Sequence, residues 1–284
     1  MASPSFIRQL LHACALSTAT ASLMSCAPQA PDQNETAQAP VNESAVNAAV
    51  PPPRIVPATI PPLDRQQLLA AIGASSDAFA SRSPVPEDVV ALAGRPFQIK
   101  LPFGCNGPSD ELESNWAGWS YDSRTRALKL TARVEITKAL PMLAQLVQAD
   151  SYDAVEGFWI RRPWTSQEVC PRNARLSSSP SAVTQPDRQT VGFVQLFGKD
   201  DPRTLRRGGR PYAATIKLDE GAHPGAQGYQ LSISGRIGAF SDRQPIHCTA
   251  ADAEVRPVCL VAVELTRVAF DDPESGVNLS EWAL

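Results

Sequence analysis

The chain has 284 residues, 26 Lys+Arg against 29 Asp+Glu for a formal charge of −3, and 43% apolar residues. That balance excludes a globally basic nucleic-acid binder, and the apolar share excludes a wholly disordered chain. The 26 prolines exclude a long helical bundle, while the length suffices for one or two domains with a hydrophobic core.

In residues 1–25 the only charged side chain is Arg8, followed by a modest apolar stretch and then Leu23-Met24-Ser25-Cys26. A positive start, a short apolar segment and small residues before a cut predict an export signal over 1–25. The stretch over 10–23 is shorter than the roughly 18–20 residues that span a bilayer as a helix. Leu23-Met24-Ser25-Cys26 resembles the lipobox of bacterial lipoproteins. The resemblance implies cleavage before Cys26, lipidation of its thiol and acylation of the new amino terminus, hence a membrane partner through the lipid anchor. Ala27 stands where an Asp usually marks inner-membrane retention in that family, so the implied destination is the outer membrane, facing the periplasm. Without lipidation, ordinary secretion after Ala19-Thr20-Ala21 is the alternative. Residues 26–62 read as a disordered Pro/Ala-rich tether, with nine prolines between 27 and 62 and charges only at Asp32, Glu35, Glu43 and Arg54.

From residue 63 the pattern is that of a single β-rich domain, 63–284. Asp64 with Gln67 three residues on predicts a capping box, with Leu63 placed to staple against Leu68, and Leu68, Leu69, Ile72 and Phe79 carry a helix to about residue 80. Pro86, Glu87 and Asp88 predict a second short helix over 86–93, stopped by Gly94. Period-two alternation then predicts half-buried antiparallel strands around 97–101, 128–134, 212–218 and 229–237, with Gln230 and Ser232 on a wet face. Asp122-Ser123-Arg124-Thr125 should turn a hairpin between 116–121 and 126–134. Residues 154–160, 190–198 and 257–268 are apolar enough for central strands, and a third helix is expected over 141–149. The expected fold is mainly β (α+β): antiparallel sheet as a sandwich or partly closed barrel, with a few short helices packed against it.

Once Cys14 leaves with the signal and Cys26 takes lipid, Cys105, Cys170, Cys248 and Cys259 remain. An even number in an exported chain predicts two disulfides, with Cys248–Cys259 and Cys105–Cys170 the preferred pairing. Tetrathiolate spacing is absent, so no metal is expected. Nor is a cofactor implied or a catalytic residue assigned: His223 lies in a Gly/Pro-rich loop, His247 adjoins a disulfide cysteine, and no nucleophile-elbow, zinc-protease or phosphate-loop motif occurs. A carboxylate pair for glycoside hydrolysis would leave no trace in sequence, because its separation belongs to the fold.

Two clusters could bind something. Arg203, Arg206, Arg207 and Arg210 surround Gly208-Gly209, a candidate anion site, since guanidinium groups take phosphate and carboxylate bidentately; a solvated hairpin tip partly neutralised by Asp200 and Asp201 is the plainer alternative. Trp116, Trp119, Trp159 and Trp164 form a candidate ligand face, or else fill the core, and the exposure of Trp119 and Trp164 separates the two. The composite expectation is a membrane-anchored envelope lipoprotein that binds or scaffolds envelope protein, peptidoglycan or anionic lipid, and no nucleic acid. A tethered hydrolase acting on glycan or ester substrates and a carrier of lipophiles are the alternatives.

Overall fold

The computed structural model describes residues 60–146, 152–171 and 189–284, all within one compact unit, Pro57–Leu284. The lipobox, Cys26 and the expected tether up to residue 59 lie outside the described residues, as do residues 147–149 of the expected third helix.

Helix α1 (Arg65–Ser81) begins on the predicted capping box: the Asp64 carboxylate accepts from the Gln67 N–H at 2.8 Å, and the Gln67 side chain accepts from the Asp64 N–H at 3.0 Å. Leu68 and Ile72 enter the core from this helix. Helix α2 (Glu87–Val90) is a single turn, shorter than expected, with Pro86 as its N-cap rather than inside it. Residues 91–94 continue it only as turns, and the Gly94 N–H turns away to donate to the Ile237 carbonyl at 2.7 Å.

Eleven strands are described: β1 (Pro96–Phe103), β2 (Ala117–Asp122), β3 (Ala127–Ala132), β4 (Ile136–Thr137), β5 (Ala154–Trp159), β6 (Val191–Phe197), β7 (Tyr212–Lys217), β8 (Tyr229–Ile237), β9 (Ile246–Thr249), β10 (Val258–Asp271) and β11 (Asn278–Ala283); helix α3 (Leu143–Leu146) follows β4. The architecture is mainly β, with a large mixed sheet, a smaller antiparallel sheet β2-β3-β7 and no closed barrel among the described residues.

Strand β10 is the spine of the large sheet. Its first half lies between β9 and β6, its second half between β8 and β11, and a bulge at Leu265–Arg267 separates the β8 register into two runs. The β10–β6 pair is parallel, the one exception among the described strand pairings of an otherwise antiparallel sheet. A parallel pair is stable where both faces are covered, and both are here. Phe193, Cys259 and Val261 face the main core, shared with α1, β1, β8 and the smaller sheet. Val194, Leu260 and Ala262 face a second core with Ile136, Leu143 and Phe240. Double burial explains why 191–194 and 258–263 are apolar without alternation.

Strand β8 departs from its pattern in the opposite sense. Gln230 and Ser232, expected to be wet, are buried. Gln230 Nε2 donates to the Glu168 carbonyl at 2.7 Å, and the Ser232 hydroxyl donates to the Asp271 carboxylate. The segment covering this face, residues 161–170, comes from a distant part of the chain, so alternation within β8 could not register it.

The disulfides Cys105–Cys170 and Cys248–Cys259 are both formed, in the preferred pairing. The second joins directly paired residues of β9 and β10. Two such bridges mark an oxidising, extracytoplasmic location. Among the described residues no helix is long and apolar enough to cross a membrane.

Candidate functional site

The arginine cluster lies on the connection from β6 to β7, which crosses from one sheet to the other and is therefore no hairpin tip. Its backbone does hold an anion, and that anion belongs to the chain. The Arg207 N–H donates to one oxygen of Glu156 at 2.9 Å and the Gly208 N–H to the other at 2.7 Å. Gly208 and Gly209 both have positive φ, and this left-handed geometry turns successive N–H groups to one side. The Arg206 guanidinium pairs with Asp153, donates to the Gly198 carbonyl at 2.9 Å and lies over the Phe197 ring. Arg207 donates to the Pro211 carbonyl at 2.6 Å and stacks over Tyr212. Arg206 and Arg207 thus fasten the turn to β5, β6 and β7, whereas Arg203 and Arg210 are exposed. The neutralising carboxylates are Asp153 and Glu156 on the neighbouring strand segment; Asp201, the nearer in sequence, instead accepts from the Gly198 N–H.

The four tryptophans do not form one face. Trp119 is 5% exposed, packs edge-on against Tyr229 and donates its indole N–H to the Gly104 carbonyl at 3.2 Å. Gly104 is required there: its φ is +65°, and a Cβ would lie 2.2 Å from the Trp119 ring. Trp116 is half-buried under the Arg161 guanidinium, 4.9 Å from its ring centroid. Trp159, also half-buried, lines a surface cavity of about 550 Å³ with Leu140, Met142 and Val258. Trp164 alone of the four is in the open, at 64% exposure.

What surrounds Trp164 makes that exposure informative. Residues 161–170 contain no regular element, yet their backbone is bonded on every side. Arg65, only 3% exposed, donates from Nη2 to the carbonyls of Arg161 (2.6 Å) and Arg162 (3.0 Å) and from Nε to that of Thr165 (2.8 Å). Arg162 closes the loop on itself by donating to the Val169 carbonyl at 2.8 Å. Glu168 accepts from the Lys100 N–H on β1 at 2.8 Å, and Cys170 carries the disulfide to Cys105. Burial pushes the Glu168 carboxyl above its ordinary value, against the opposing pull of the Lys100 N–H and the positive charges of Arg65 and Lys100. At the head of the loop Arg161 pairs with Glu135, whose carboxyl is likewise raised by burial despite that partner. The loop displays two apolar side chains, Trp164 and Val169, the latter 42% exposed.

Sequence reasoning named Trp164 but missed the residues that hold it. Neither Arg65, beside the capping Asp64, nor Glu168 belongs to a motif. The signal that could have found them is indirect: a structured loop bounded by a disulfide cysteine must satisfy its carbonyl groups somewhere.

Elsewhere, His223 is exposed, and His247 Nε2 lies 2.9 Å from Asp242 with its ring against Phe240. Among the described residues no group of three or more His, Cys, Asp or Glu side chains is arranged to hold a metal ion. No family model, curated protein or solved structure matches the chain.

Proposed function

We propose that the chain is an envelope lipoprotein, anchored through Cys26 to the outer membrane, whose β-rich domain binds rather than catalyses and meets its partner through residues 161–170. One observation carries the binding face: a tryptophan left 64% exposed on a loop whose backbone is fixed by a buried arginine and a disulfide. Leaving an indole in water forgoes the hydrophobic gain of burying it, and an irregular loop that orders so many polar contacts around it is preorganised. Tryptophan on a rigid support loses little entropy on binding and is enriched among the residues that dominate interfaces. Export is supported by the two disulfides, lipidation by Leu23-Met24-Ser25-Cys26, and the outer-membrane destination by Ala27.

Two measurements test this reading. The intact mass of the mature protein should show an acylated chain starting at Cys26; an unmodified chain starting at Ser22 would refute the anchor. A photoreactive amino acid at position 164 should give cross-links in the native envelope that the same group at exposed Val255 does not. Equal labelling at the two positions would remove residues 161–170 as the binding face.

A further inference from the structure

We infer that residues 161–170 dock the domain on the bilayer surface itself, with the Trp164 indole at headgroup depth and Val169 beside it. The inference rests on the binding-face reading and names the partner as a lipid surface.

Three observations lead there. First, the exposed part of the loop is uncharged: Pro163, Trp164, Thr165, Ser166 and Gln167 follow one another. The two flanking ionic side chains are engaged, Arg162 with the Val169 carbonyl and Glu168 with the Lys100 N–H. An amphipathic indole with neutral polar neighbours suits the bilayer interface, where tryptophan concentrates because its ring is apolar and its N–H is satisfied by headgroups and water. Second, the loop is stiff, so inserting Trp164 orders little that was free. Third, the chain enters the fold beside this loop. Leu63 bridges to Phe97 of β1, and two residues later Arg65 grips Arg161, Arg162 and Thr165. A chain anchored at Cys26 therefore joins the domain on the side that carries Trp164.

One tryptophan and one valine give only weak partitioning by themselves. The anchor makes weak partitioning sufficient. Linking a module to its anchor converts its second contact into an intramolecular one, at an effective concentration on the order of millimolar for short flexible linkers. The lipid would hold the chain at the membrane, and the loop would set how the domain lies on it. Because the residues placed against the bilayer, Trp164 to Gln167 and Val169, carry no charge, the contact should require neither anionic lipid nor low salt. In that it differs from anything Arg203 and Arg210 could provide.

The test uses the mature chain from Cys26, whose thiol is the one outside the two disulfides, coupled chemically to a maleimide-bearing lipid in phosphatidylcholine vesicles. Brominated acyl chains in the same vesicles quench tryptophan on contact. Wild type should be quenched, Trp164→Phe should lose that lipid-dependent quenching, and Val169→Ser should weaken it, all unchanged in high salt. An unaltered unfolding midpoint shows that the variants fold. Wild type left unquenched, or Trp164→Phe quenched as strongly as wild type, overturns the proposal. So does a Trp164 emission that responds to soluble peptidoglycan strands but not to the quencher, which makes the partner a glycan. Since the coupling is chemical, the result stands whether or not the native Cys26 is acylated, and the mass measurement above decides that point separately.

Discussion

With its guanidinium shielded from water and bonded to the carbonyls of Arg161, Arg162 and Thr165, Arg65 does for residues 161–170 what a ladder of backbone hydrogen bonds does for a strand. Planar donors in a fixed fork can meet several carbonyls at once, which a lysine ammonium does less well. Replacing Arg65 by Met keeps much of the apolar stem and removes every donor. Three carbonyls then lose a charged partner, and such bonds are each worth about 1.5–3 kcal/mol. We expect Arg65→Met to lower the unfolding free energy by about 3 kcal/mol or more, with Arg65→Lys between it and wild type. Where the variant still folds, Trp164 should show faster local motion by fluorescence anisotropy. Undiminished rigidity in Arg65→Met would mean that the disulfide and the bonds of Arg161, Arg162 and Glu168 fix the loop without Arg65.

Among the elements, the β6–β7 connection shows how a correct reading of residue chemistry can miss the outcome. Arginines around a Gly-Gly turn do present N–H groups suited to an anion, and Glu156 of β5 already occupies them. Glu156→Gln removes the charge while keeping one acceptor, so the turn should persist and the Arg207 and Gly208 amides should become available to inorganic phosphate. The readout is a phosphate-dependent shift of those amide resonances, present in Glu156→Gln and absent in wild type. A shift of equal size in both would show that Glu156 does not hold the site. The same distinction governs what was legible in the sequence. Helix α1 was legible because its capping box is local, four residues carrying both halves of the bond. The 122–125 turn was legible for the same reason, Asp122 accepting from the Arg124 N–H and the Thr125 hydroxyl. The central strands β5, β6 and β10 were legible because they are predominantly apolar, with Glu156, Gln195 and Glu264 as interruptions. By contrast β4 has only two residues, and β11 mixes Asn278, Ser280 and Trp282 on alternating positions, so neither shows a period. The buried Gln230 and Ser232 and the grip of Arg65 depend on partners far along the chain, which no local pattern contains. At the site, the disulfide pairing and Trp164 were within reach of the sequence, and the brace that makes Trp164 meaningful was not.

For the molecule as a whole, the titrating carboxyls pull stability in opposite directions with pH. Asp122 and Asp153 are held below their ordinary value, the first mainly by the Arg124 N–H and the second mainly by its hydrogen bond and charge pairing with Arg206. Their contribution is present above the ordinary Asp range and is lost as pH falls through the lowered values. Glu135 and Glu168 are raised by burial. Between the ordinary Glu value and the raised one, the folded state binds more protons than the unfolded chain, so this contribution is full below the ordinary value and is lost as pH rises through the raised one. The two trends together place the most stable condition on the mildly acidic side of neutrality. Glu168→Gln isolates one arm, because glutamine can still accept from the Lys100 N–H while carrying no charge to desolvate. Wild type should lose stability relative to Glu168→Gln as pH rises from the ordinary carboxyl range to neutrality, with the difference between their unfolding midpoints widening in that window and flat on either side. A difference that narrows as pH rises would mean that the attraction of Arg65 outweighs burial at Glu168, and that the loop is held by an ion pair rather than by hydrogen bonds to a neutral frame.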